Sequence, residues 1–187
     1  TEHQRRQRKR HVEVAKSRQL RPRHAAKLPH RQMKPTLVQY DAPGWGVGEV
    51  WLDEDGRVFY SELPRPRKTR PGSDSVHVLA GRLAAWFDGV PDDFADVPLR
   101  LPDDGFYADC ARALLTVPRG EVVTYGELAA LAGYPGAARA AGTFCARCDL
   151  APFLPVHRVV AANGIGSWGD HGVEYKRRLL ELEDVAL

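Results

Sequence analysis

Residues 116–142 read "TVPRGEVVTYGELAALAGYPGAARAAG", and this stretch decides the fold. Thr124 stands where a helix N-cap is wanted, and Glu127 follows three positions later, the spacing of a capping box. "TYGELAALAG" then reads as a short helix stopped by Gly133, and "YPGAARAAGTFCARC" turns and resumes as a second, alanine-rich one. Residues 124–148 therefore have the helix, glycine-containing turn and helix of a helix-turn-helix. Upstream, "FYADCARALLTVPRG" at 106–120 places Phe106, Cys110, Ala113, Leu114 and Val117 on one helical face.

Further towards the N-terminus the periodicity changes from helical to alternating. "TLVQYDAPGWGVGEVWLDEDGRVFYSELP" at 36–64 brackets the turn signal Asp55-Gly56, which predicts a β-hairpin with Val50 and Leu52 leading in and Val58 and Tyr60 leading out. After the proline- and arginine-containing loop "PRPRKTRPG" at 64–72, Val76, Leu79, Leu83, Trp86 and Phe87 recur at helical spacing until Gly89. The acidic, proline-spaced "PDDFADVPLRLPDDG" at 91–105 is expected to be a connection. The expected architecture is α+β: a flexible basic arm at 1–35, a small N-terminal α/β domain at 36–100 and a helical domain at 101–187.

Charge separates these parts as clearly as periodicity does. Residues 1–35 hold 12 Lys/Arg against 2 acids, whereas 36–100 and 101–187 are net −4 and −3 in a chain that is +3 overall. Such an arm is suited to phosphates, adding sequence-independent and salt-dependent affinity, or it is a solvated tail. Met33, the one methionine, directly precedes the globular pattern, so a start there would leave 1–32 as an extension. No run of about 18 apolar residues is present and no secretory pattern opens the chain, so a soluble cytoplasmic protein is expected, nucleoid-associated if prokaryotic. Three cysteines, Cys110, Cys145 and Cys148, make no disulfide framework. Cys145-Ala-Arg-Cys148 has metal or redox spacing but no second pair, and neither a metal nor a cofactor is expected.

The order "TVPRGEVVTYGELAALAGYPGAARAAG", "LPVHRVVAANG" (154–164) and "YKRRLLELE" (175–183) resembles the O6-alkylguanine-DNA alkyltransferase family over about residues 106–184. The resemblance implies a ribonuclease-H-like N-terminal domain, ending in a helix like "LAAWFDG", ahead of a helical domain that binds duplex DNA in the minor groove. The family's Pro-Cys-His-Arg motif falls on Pro155, Val156, His157 and Arg158, so a valine occupies the place of the alkyl acceptor. Valine has no lone pair and no titratable proton, so the usual transfer to cysteine is not available at this position.

Other family roles carry over residue by residue. Tyr125 matches the tyrosine that rotates a phosphate as the target nucleotide turns out. Arg139 matches the arginine that fills the vacated space in the duplex, and Ala137, Ala138, Ala140, Ala141 and Gly142 would allow close approach to the groove. His157 and Glu183 match the pair that, through a water, draws the proton from the thiol, the glutamate lying in the last helix. Pro155, Val156, Arg158 and Trp168 are the expected lesion pocket. Two departures stand out: Cys148-Asp149 replaces the Asn-Pro hinge, and "GIGSWGDHG" replaces the glycine-tyrosine-glycine loop, where Trp168 is either a platform that stacks on an extruded base or a core residue.

Three functions are compatible with these residues. Like the alkyltransferase-like proteins, which replace the acceptor cysteine but commonly lack an N-terminal domain, the chain would bind and flip O6-alkylguanine and mark it for nucleotide-excision repair, acting as a monomer. Alternatively it is a repair enzyme of another class, excising a base or cutting a strand with His157 and Glu183 as the reacting pair. As a third reading it binds DNA through the basic arm without lesion preference. Cys148 as a displaced acceptor would lie eight residues from Val156, without an adjoining histidine.

Overall fold

Three strands open the fold: β1 (Thr36–Ala42), β2 (Gly46–Leu52) and β3 (Val58–Arg65). They form an antiparallel sheet in that order, with Val38 opposite Val50 and Trp51 opposite Tyr60. The hairpin turns where Asp55-Gly56 predicts it. Asp53 fixes the turn, its carboxylate accepting from the backbone N–H of Asp55 at 3.0 Å and of Arg57 at 2.9 Å, while Gly56 supplies φ of 76°. Gly48 faces Tyr40 across the ladder, and a Cβ there would lie 2.2 Å from the tyrosine ring, so only glycine fits beneath it.

The computed structural model describes residues 35–67, 69 and 76–187. The basic arm, Met33 and most of the 68–75 loop lie outside the described residues. Helix α1 (Val78–Phe87) packs on β1 with Leu79, Leu83, Trp86 and Phe87 buried, and Phe87 stacks on Tyr40 at 5.9 Å. Val76, expected on that face, precedes the helix and is exposed. The His77 side chain starts the helix after it by accepting from Leu79 N–H at 3.2 Å.

The acidic connection is pinned down rather than loose. Phe94 and Val97 are buried, Phe94 meets Phe153 edge to face at 5.0 Å, and Arg82 holds both Asp92 and Asp96 at 2.8 Å. Val58 further accepts and donates backbone hydrogen bonds with Arg100 and Pro98, tying the connection to β3.

Helix α2 (Gly105–Leu114) follows, then β4 (Val123–Thr124), α3 (Tyr125–Leu131), α4 (Ala138–Ala146), β5 (Val159–Val160) and α5 (Gly172–Glu181). The parallel β4–β5 pair sets Val123 beside Val159, which brings the start of α3 next to the segment that follows the valine turn. The capping box of α3 is complete: Thr124 Oγ1 accepts from Glu127 N–H at 3.2 Å and the Glu127 carboxylate accepts from Thr124 N–H at 2.6 Å. Thr124→Ala is expected to lower stability by about 1 kcal/mol, measured by urea denaturation; no change in the midpoint would mean the box adds nothing here. Cys110, Leu114, Leu128, Ala141, Phe144, Leu154 and Leu179 belong to the same buried cluster as the residues under the sheet. No helix among the described residues is long and apolar enough to cross a membrane.

Candidate functional site

Pro155 introduces a single 3-10 turn, Val156–Arg158, whose residues are all buried. The turn leaves Val156 on the wall of a cleft of about 340 Å³ and directs the next two side chains behind that wall. Tyr125, Gly142, Cys145, Cys148, Trp168 and Lys176 line the same cleft from the helices and loops, and Tyr60, Ser61 and Glu62 contribute a side from β3. A backbone bond from Ser61 N–H to Asp149 C=O at 2.7 Å fastens that side to the loop after α4.

Of the four residues expected to form a lesion pocket, Val156 and Trp168 line the cleft, and Pro155 and Arg158 do not. Arg158 is instead committed to Glu183, with Nε and Nη2 donating to the two carboxylate oxygens at 2.8 Å each, and Nη1 donating to Val117 C=O at 2.6 Å. A guanidinium cannot be left unpaired in a buried turn, and a bidentate carboxylate satisfies most of its donors.

His157 shares that carboxylate directly, Nε2 lying 3.0 Å from Glu183 Oε1, and it packs edge to face on Trp86 at 5.8 Å. Burial would raise the Glu183 carboxyl, but hydrogen bonds from His157 and Arg158 outweigh it and hold it at about 2. Burial lowers the His157 imidazole, so it is neutral, and an ionised carboxylate can only accept; the ring proton therefore sits on Nε2. Nδ1 is left with its lone pair and has no hydrogen-bond partner among the described residues. Glu183 lies just past α5, in the turn that ends it, rather than within the helix.

The two cysteines on the cleft wall are poor nucleophiles. Burial pushes the Cys145 and Cys148 thiols up to about 12, so neither is a thiolate at neutral pH. Among the described residues no cluster of three or more His, Cys, Asp and Glu could hold a metal ion.

At the N-terminal end of α3, Tyr125 is half-buried, its hydroxyl close over Gly166, where a Cβ would come within 3.1 Å of it. Arg139 and Ala140 are exposed on α4, and Ala137 and Gly142 are half-buried beside them. Arg139, Ala140 and Gly142 thus share one short helix with Ala137 at its cap, next to the cleft that Tyr125, at the start of α3, and Gly142 line, whereas Ala141, expected beside them, turns inward and is fully buried against the core.

Two residues that the sequence reading passed over complete the cleft. Lys176 is buried, donates from Nζ to Val159 C=O at 2.5 Å and lies 5.7 Å from the Trp168 ring. Its signal was its phase: Lys176, Leu179, Leu180 and Glu183 follow the i, i+3, i+4, i+7 spacing of an inward face. Ser61 offered no such signal, because the partner of a strand's far side is a matter of tertiary packing.

The profile described as "6-O-methylguanine DNA methyltransferase, DNA binding domain" matches residues 105–185. The methylated-DNA–protein-cysteine methyltransferase of Mycobacterium tuberculosis is 43% identical over 154 residues, 79% of this chain and 93% of the relative. That of Methanopyrus kandleri is 41% identical over 113 residues, 60% of this chain and 83% of the relative. Among solved structures, M. tuberculosis OGT in complex with DNA superposes with a TM-score of 0.67 at 34% identity, covering 80% of this chain and 93% of that one. The mixed α/β fold, the ordered motifs around the valine turn and these relatives place the chain in the methylated-DNA–protein-cysteine methyltransferase family.

Proposed function

We propose that this protein recognises O6-alkylguanine-type lesions in duplex DNA, turns the damaged base into the cleft and holds it there without accepting the alkyl group, so that a separate pathway such as nucleotide-excision repair removes it. One observation carries the reading: the residue at the family's acceptor position lines the cleft and is a valine, Val156. The thiols nearby do not replace it, since burial keeps Cys145 and Cys148 protonated. We read α3 and α4 as a helix-turn-helix that enters the minor groove, with Arg139 occupying the space of the extruded base and Ala137, Ala140 and Gly142 permitting close approach. In this reading Tyr125, which lines the cleft beside Gly142, guides the nucleotide, and Trp168, also on the lining, stacks on it. The protein acts as a monomer in this scheme.

An excising enzyme built on His157 and Glu183 is less well supported. Neither residue lines the cleft, and the Glu183 carboxylate already accepts three hydrogen bonds from Arg158 and His157.

The test is intact mass spectrometry of protein and of a duplex carrying one O6-methylguanine, together with competition binding against an undamaged duplex. Both masses are expected to stay unchanged while the lesion duplex competes better. A methyl group gained by the protein, or a base lost from the DNA, would overturn the proposal. Arg139→Ala is expected to weaken binding of the lesion duplex by roughly tenfold, about 1.4 kcal/mol, and to bring it close to the undamaged control. Equal losses for both duplexes would reduce Arg139 to a phosphate contact.

A further inference from the structure

The loop that carries Trp168 is gripped by the N-terminal sheet as well as by its own end of the chain. Gly169 and Gly172 bound the short turn after Trp168 and take φ of 35° and 78°, a region glycine enters freely, so the loop has little shape of its own. Trp168 is half-buried; its C=O accepts from Gly172 N–H at 3.0 Å, and its ring lies 5.7 Å from the Lys176 ammonium. A second grip comes from the sheet. Arg65, the last residue of β3, donates from Nη2 to His171 Nε2 at 3.0 Å, and the His171 ring packs on Tyr175 at 4.6 Å. Tyr175 in turn donates its hydroxyl to Pro64 C=O at 3.0 Å and meets Trp45 edge to face at 5.0 Å. Arg178 covers the other end of this contact, lying 3.7 Å from the Trp45 ring and donating to Gly44 C=O at 3.1 Å.

We infer that His171 and Tyr175 are positioning residues through which the N-terminal sheet sets the Trp168 loop against the cleft, so that the sheet contributes to lesion preference without touching the base; this rests on the lesion-binding reading above. A guanidinium can only donate, so His171 Nε2 is the acceptor and the neutral imidazole carries its proton on Nδ1. Burial, and after it the Arg65 charge, lowers the pKa of His171 and keeps the ring in that form. Glu62 aims the guanidinium, holding Arg65 Nε at 3.2 Å and leaving Nη2 for the imidazole. The far end of the relay is firm, because Trp45 is buried and packs edge to face on Phe87 of α1 at 5.2 Å. Loss of the Arg65–His171 contact therefore frees the loop at its glycines, while Leu179 and Leu180 keep α5 anchored in the core. His171 lies three residues from Trp168 on one turn, so a tilt of that turn moves the indole, and stacking tolerates little misplacement.

A double-mutant cycle in competition binding tests this, with a duplex carrying one O6-methylguanine beside an undamaged one. His171→Ala is expected to lower the lesion's advantage about fivefold, and Arg65→Met to do the same from the sheet side, with the undamaged duplex bound as before. Trp168→Ala should lower it about tenfold, the order of one lost stack, and in that background His171→Ala should add nothing. His171→Gln, whose amide oxygen can still accept from Arg65, should recover part of the loss. Free protein labelled with 5-fluorotryptophan gives a readout without DNA. The Trp168 fluorine resonance, identified by its loss in Trp168→Phe, should shift or broaden in Arg65→Met. Additive losses in the cycle, equal losses for both duplexes, or an unmoved Trp168 resonance would overturn the inference and leave lesion recognition standing. If the unsubstituted protein prefers no lesion, the lesion-binding reading fails and the sheet's share in it fails too, whereas the fluorine spectrum still decides whether the sheet holds the loop.

Discussion

The Val156→Cys variant is expected to take up one methyl group from a duplex containing O6-methylguanine, where the unsubstituted protein takes up none. The turn departs from the family's Pro-Cys-His-Arg order only at Val156. Val156 lines the cleft, and its backbone is held by the Val156 N–H to Leu154 C=O bond at 2.8 Å and by Arg158 N–H to Pro155 C=O at 2.9 Å. The next residue is a neutral histidine whose Nε2 proton is fixed by Glu183 and whose Nδ1 lone pair has no partner among the described residues, the form a base takes before it receives a proton. In the transfer the sulfur would bond to the methyl carbon as the carbon–O6 bond breaks, the thiol proton passing to His157 and guanine leaving with the electron pair. Replacing valine by the slightly smaller cysteine should cost less than about 1.5 kcal/mol, so folding is retained. Intact mass spectrometry reads the result, and adding His157→Ala should slow the transfer. A Val156→Cys protein that binds the lesion yet stays unmethylated would mean that the base enters too far from the turn for in-line attack.

The parts of the fold that the sequence makes legible are those dictated by neighbours along the chain. The capping box at Thr124 and Glu127, the hairpin at Asp55-Gly56 and the inward face of α1 each rest on spacings of a few residues, and each is present. Val76 fails for the same reason: it has the right phase, but a phase does not say where a helix begins, and the His77 cap begins it after Val76. The acidic segment at 91–105 reads as a loop by composition, yet two buried apolar side chains, Phe94 and Val97, anchor it to the core while most of its other residues stay exposed. The site divides similarly. Motif order brings Val156, Tyr125 and Trp168 to one cleft, whereas Arg158 leaves it for a carboxylate 25 residues away, a pairing that no local pattern announces. The β3 side of the cleft is a tertiary fact of the same kind, since Ser61 meets Asp149 only after the sheet has docked.

That long-range pairing predicts the largest loss of stability. Glu183→Leu is expected to lower the unfolding free energy by about 3–5 kcal/mol, the usual result of removing one partner from a buried ion pair. The Arg158 guanidinium would remain buried with only the Val117 carbonyl, and the His157 Nε2 proton would lose its acceptor. Against a total of about 5–15 kcal/mol for a domain, such a loss should be plain in a urea titration. The double variant Arg158→Leu/Glu183→Leu should recover part of it, because the stranded charge goes too. Acid should act on the same group. Glu183 ionises at about 2 in the fold against 4.5 when unfolded, so its contribution is complete above pH 4.5 and is lost as the pH falls through the folded value. His157, lowered from 6.5, adds a loss in the same direction that begins below pH 6.5, since the unfolded chain takes up that proton first. Glu183→Gln should therefore flatten the lower part of the acid profile, with any remaining slope between pH 6.5 and 4.5 including the histidine's share. A Glu183→Leu protein within about 1 kcal/mol of the original, with the same acid profile, would show that the turn carrying Val156 is held by packing against Trp86 and Leu154 rather than by its shared carboxylate.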